Sequence, residues 1–184
     1  MASVISHAVA AVGIGTAFYK PGLPKRFWLL GVACSMFPDI DVVGFHLGVR
    51  YEDFWGHRGF THSLVFAVIL ASLALLACVR IPGQQISAAA LYAYFFLAAA
   101  SHGVLDAMTD GGLGVAFFSP FDTTRYFLPW RPIVVSPIGI ARFFGPRGLV
   151  VLRSELLWIW LPAALFAAFC IAWRQPTRQS ESKV

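Results

Sequence analysis

Charge is what this sequence has least of. Only 12% of its 184 residues are Asp, Glu, Lys or Arg, about half the roughly 25% of a soluble domain. With 58% hydrophobic residues and a mean hydropathy of +0.71, water would not tolerate the hydrocarbon left exposed, which excludes a soluble globular fold. Basic blocks are missing too. The net charge is +5 and the pI near 9.5, but the Lys and Arg residues lie scattered between apolar runs as membrane flanks do. No basic stripe interleaved with aromatics is present, so nucleic acid is excluded as a partner. Cysteine is scarce: Cys34, Cys78 and Cys170 each sit in an apolar run, form no C-x-x-C pair and read as packing residues. The opening MASVISHAVAAVGIGTAFYK lacks the positive n-region of a signal peptide and reads as a retained first helix.

What is present is membrane-length hydrocarbon. About 20 mainly apolar residues span a bilayer core, and such runs fall at 2–19, 27–45, 61–80, 86–105 and 153–173. Polar breaks separate the first four: KPGLPKR at 20–26, GVRYEDFWGHRG at 48–59 and RIPGQQ at 80–85. Residues 106–152 form a long connection rich in Gly, Pro and aromatics, with prolines at 120, 129, 132 and 137. Those prolines forbid a spanning helix and predict an ordered cap on the membrane surface. The fold class predicted is all-α: a multi-pass helical membrane bundle of about five apolar helices with a Pro/Gly/aromatic cap after the fourth. Residues 1–173 read as one integral membrane domain and 174–184 as a polar, disordered tail.

The few polar residues of the apolar runs are not scattered at random. If successive spans alternate direction, His7, Asp39, Asp41, His57, His62, His102 and Asp106 all arrive at one face of the membrane. An ionisable side chain at membrane depth costs on the order of 2.5–3.5 kcal/mol and is by default a functional candidate. Histidines and carboxylates together suit a divalent cation: zinc, one or two ions, with manganese or iron as alternatives. His102 and Asp106 stand four apart, on one face of a helix. The carboxylates of PDID stand two apart; in an extended segment after Pro38 they share a side, to ligate metal or take a proton from water. His57 and His62 bracket the mouth of the third span, where Thr61 or Ser63 can cap the helix. Arg58 and Arg125 can pair with phosphate oxygens; Asp110, a further substrate contact, extends the His102–Asp106 line if the helix persists, although Gly111 and Gly112 mark an end there. His46 has no partner pattern.

S-H-A near the start, F-P-D-I-D, H-R-G-F-T-H-S, S-H-G-V-L-D-A-M-T-D-G-G and F-F-S-P-F-D-T-T-R-Y together resemble the YdjM-like family of bacterial inner-membrane proteins, over about residues 1–140. The resemblance implies an inner-membrane, metal-dependent hydrolase. A looser similarity runs to zinc-dependent phospholipase C, whose ligand order can be traced through His7, Asp39 or Asp41, His57 or His62, and His102/Asp106. That family's later H-x-x-x-E has no counterpart here, so one or two ions are expected rather than three.

The function expected is a membrane-embedded metallohydrolase. Its partners would be the bilayer and a lipid or lipid-linked phosphoester, and Asp39 and Asp41 would be the catalytic carboxylates. Two other classes use the same residues. A transporter would relay protons or cations along Asp and His, although the polar groups gather at one face rather than along a path. Haem ligation by paired histidines leaves the carboxylates without a role. Seven basic residues flank each face, and short-loop weighting turns the site outward.

Overall fold

A computed structural model describes residues 1–78 and 86–174. The expected RIPGQQ break and the tail from residue 175 onward lie outside the described residues. Helix α1 runs Val4–Phe18, α2 Lys25–Met36, α3 Leu64–Cys78 and α4 Ala88–Ala107. The short helix α5, Ile140–Phe143, is followed by α6, Pro146–Glu155, and α7, Leu161–Arg174. Helices α6 and α7 are joined through a π-helical stretch, Leu156–Trp160, into one 29-residue rod. Lys25–Leu47, Ala88–Ala107 and Pro146–Arg174 are long and apolar enough to cross a membrane, while α1 and α3 are shorter apolar helices. Among the described residues there is no strand; two isolated bridges, Thr109 with Ile133 and Val115 with Tyr126, tie the cap.

Local chemistry sets the ends. The Ser3 hydroxyl accepts from Ser6 N–H at the start of α1, and Ser87 does the same for Ala90 in α4, each satisfying one donor left over by the helix. Pro24 precedes α2 and Pro146 opens α6, where a missing N–H costs nothing. Of the two candidate caps for α3, Ser63 performs the task, its Oγ accepting from Phe66 N–H at 3.1 Å.

Two expectations need correcting. The last span begins at Pro146 rather than 153, because a proline in the first turn starts a helix as readily as an interior one ends it; the cap is correspondingly shorter. PDID is not extended: Phe37–Leu47 is a 3₁₀ helix with Pro38 in its first turn. Proline forbids the preceding residues' α-helical hydrogen bonding but accepts a tighter turn, so the chain tightens instead of straightening.

Helix α4 is the hub, packed on α1, α2 and α3; α7 lies on α1. Tyr94 lies fully buried at the centre of the apolar core with Phe27, Leu91 and Phe95. Its hydroxyl occupies the space of two missing side chains: a Cβ on Gly31 would stand 2.0 Å from it and one on Gly15 2.9 Å. The four packed helices bring the start of α1, the end of α2, the approach to α3 and the end of α4 to one end of the bundle, over which the cap folds. Leu64 N–H bonds Phe117 O, Leu128 N–H bonds Ala107 O, and Ser136 N–H bonds Met1 O.

Candidate metal centre

The seven predicted His and Asp residues are buried and gathered at the capped end. Ligand atoms of Asp39, His62, His102 and Asp106 all lie within 4.8 Å of one another, as do those of Asp41, His57 and His62. His7 joins from α1, with Nε2 3.5 Å from Asp106 Oδ1 and its ring stacked on His102 at 3.7 Å. Gly103 makes the assembly possible: a Cβ there would meet His62 O at 2.9 Å, so only glycine lets the His62 turn settle on α4.

Hydrogen bonding fixes the imidazoles. His102 Nδ1 faces Ser35 O at 2.6 Å; a carbonyl only accepts, so Nδ1 carries the proton and Nε2 is a bare lone pair. His62 Nδ1 faces Asp41 Oδ2 at 3.2 Å and Thr61 Oγ1 at 3.1 Å, while the threonine hydroxyl donates to Asp41. By the same reasoning the neutral His62 imidazole keeps its proton on Nδ1 and presents Nε2 bare, as His102 does. These two nitrogens point at each other across 3.0 Å, with Asp39 Oδ1 3.3 Å from His102 Nε2 and Asp106 Oδ2 3.5 Å from His62 Nε2. Lone pairs and carboxylates converging this closely repel unless positive charge sits among them. The proton is one such charge: burial opposes it on His62, but Asp106, Asp39 and Asp41 outweigh burial and hold that imidazole well above its ordinary pKa. A divalent cation is the other, and orphaned atoms favour it. Both nitrogens of His7, both carboxylate oxygens of Asp39 and Nε2 of His57 are buried without a hydrogen-bond partner. A network meant only for hydrogen bonding would not leave so many unmet, at about 1–3 kcal/mol each. The donor set fits a borderline divalent ion.

Asp41 plays a different part from Asp39. It accepts from His57 Nδ1 at 2.8 Å, from Thr61 Oγ1 at 2.7 Å and from Arg58 N–H at 3.3 Å, so it orients two imidazoles at once, as carboxylates behind metal-bound histidines do. His57 is left with a free Nε2, and burial lowers its pKa against the pull of Asp41.

The three residues expected to contact substrate are engaged elsewhere. Arg58 has no exposed surface; its Nε donates to Asp106 Oδ2, Nη1 to Gly111 O and Nη2 to Thr109 Oγ1. It adopts a left-handed φ of 65°, costing about 1–3 kcal/mol that these bonds offset, and thereby locks Asp106 to the cap. Arg125 donates Nη1 to His57 O and Nη2 to Tyr51 O, bracing the histidine loop. Asp110 lies past the end of α4, where its carboxylate accepts from Val135 N–H at 2.8 Å and anchors the cap. Sequence reasoning missed Glu155, which is fully buried and accepts from Ser3 N–H, Ser3 Oγ and Ser6 Oγ at the start of α1. Its signal was available: it is a lone acid beside a strongly apolar run.

Fold and site together define a multi-pass helical membrane protein with a buried Asp/His cluster able to hold metal. The chain matches the family described as YdjM inner membrane protein over residues 1–177, and it belongs to that family. The match takes in the last span, beyond the reach of the motifs. The chain is similar to the inner membrane protein YbcI of Escherichia coli (strain K12), with 39% identity over 177 residues, covering 95% of this chain and 99% of that protein. No solved structure matches.

Proposed function

We propose that the protein is a membrane-embedded, metal-dependent hydrolase of a phosphoester carried by a lipid or lipid-linked substrate. The observation that carries this reading is the opposed pair of bare imidazole nitrogens, His62 and His102, ringed by Asp39 and Asp106. Asp39, His62, His102 and Asp106 would hold the ion, zinc by preference, with His7 beside them. When bound, a divalent ion makes water nucleophilic near neutral pH and draws charge from a phosphoryl oxygen.

The chain's own residues supply the rest. Ser35 O and Asp41 keep His102 and His62 in the tautomers that present Nε2 inward. Asp41 also backs His57, whose free Nε2 is a proton acceptor of the kind a general base requires. The proton-taking role expected of Asp41 therefore passes to the imidazole behind which it stands. Arg58 fixes Asp106, and the cap keeps bulk water from the cluster. Purified protein reconstituted with zinc should cleave at least one member of a phosphoester panel including lipid phosphates, and His57→Gln should slow cleavage with metal retained. Metal-loaded protein inactive on the whole panel, with cation uptake into liposomes instead, would favour the transporter reading.

A further inference from the structure

The cluster is nearly sealed. His7, His102 and Asp106 are fully buried, and the largest residual exposures are those of Asp39 and Asp41, 6% and 8%. Both belong to the 3₁₀ helix, so approach runs along that element. Its next residue, Val42, lines a cavity of about 430 Å³ with Ser3, Ile5, Pro137, Ile138 and Phe143. Ser3 follows Ala2, whose N–H holds Asp106 Oδ1 at 2.7 Å. The cavity lining thus includes the chain neighbour of Asp41 and the chain neighbour of Ala2, the residue whose N–H holds Asp106. Among the described residues no charged side chain lines it, and its volume falls within the roughly 300–1,000 Å³ of ligand sites.

A water-soluble ester approaching by this route would desolvate against a mostly apolar lining whose polar side chains are the hydroxyls of Ser3 and Ser136. An amphiphile would not. We infer that the cavity holds a hydrocarbon chain of the substrate while its phosphorylated head reaches the metal centre from beside Asp39. This rests on the hydrolase reading and narrows its substrate class to membrane lipids. A chain drawn from the bilayer gains little by moving between two apolar media, so the cavity acts chiefly by placing the head group rather than by tightening binding.

The test uses the full chain in phosphatidylcholine nanodiscs containing phosphatidic acid with a diazirine in its acyl chain, irradiated and mapped by mass spectrometry. Peptides carrying Val42 and Ile138–Phe143 should label saturably. Ile138→Trp, which fills the cavity, should abolish the saturable component while metal content stays unchanged. Phe169, 61% exposed on α7, should label in simple proportion to probe in both proteins. If Ile138→Trp loses its metal, Ile5→Trp, at another residue of the lining, replaces it and must produce the same loss. Cavity labelling that never saturates, or survives either filled variant, overturns the inference. Saturable labelling with no ester cleaved would keep the cavity and retire the hydrolase. Cleavage of a soluble aryl phosphate without saturable labelling would do the reverse.

Discussion

At one end of α4, Phe27 stacks on Tyr94 at 4.4 Å and two glycines make room for the tyrosine hydroxyl. About 12 Å further along the same helix, His102 and Asp106 meet three other polar segments with nitrogen and oxygen atoms left unpaired. The first end is specified by shape: every atom has a neighbour, and stability comes from close packing. The second is specified by charge, and its atoms are arranged for something the chain does not itself supply. One bundle therefore holds a rigid apolar platform at one end and a site of unmet valence at the other.

The largest effect expected is on the polar end alone. Asp39→Asn should abolish stoichiometric metal binding while near-ultraviolet circular dichroism of the Tyr94 region is unchanged; a collapse of that signal would mean the two ends are not independent. Asp41→Asn should weaken metal affinity by about 10–100-fold, as loss of an outer carboxylate does, measured by competition with a chelating dye. Full loss of metal would instead make Asp41 a ligand. At the other end, Gly31→Ala pushes a methyl into the Tyr94 hydroxyl and should lower thermal stability by about 1–3 kcal/mol, leaving metal stoichiometry intact. Tyr94→Phe removes one long bond to Ala11 O, 3.3 Å, and should cost no more than about 0.5–1.5 kcal/mol.

The two ends also differ in how far the chain announces them. Apolar length declared the helices, because spanning hydrocarbon demands it. The four-residue spacing of His102 and Asp106 declared one face of the site, because α-helical geometry is periodic. Neither PDID nor Arg58 could be read so directly. Pro38 signals the end of an α-helix without choosing between an extended chain and a 3₁₀ turn, and that choice divides Asp39 from Asp41. Arg58 looked free for phosphate because its three acceptors lie about 50 residues away, Asp106 in the last turn of α4 and Thr109 and Gly111 in the irregular cap beyond it, and no periodicity links them to Arg58. The end of the helix near Asp110 was legible in Gly111 and Gly112: α4 stops at Ala107, and the residues beyond it belong to the cap.

The unmet valence at the capped end is tested most directly by elemental analysis of protein purified in detergent without chelator, beside His62→Ala handled identically. Wild type should carry about one or two divalent ions per chain, as a mono- or dinuclear site would, and the variant none. A metal-free wild type that also fails to take up zinc, or a variant with an undiminished load, would contradict the account.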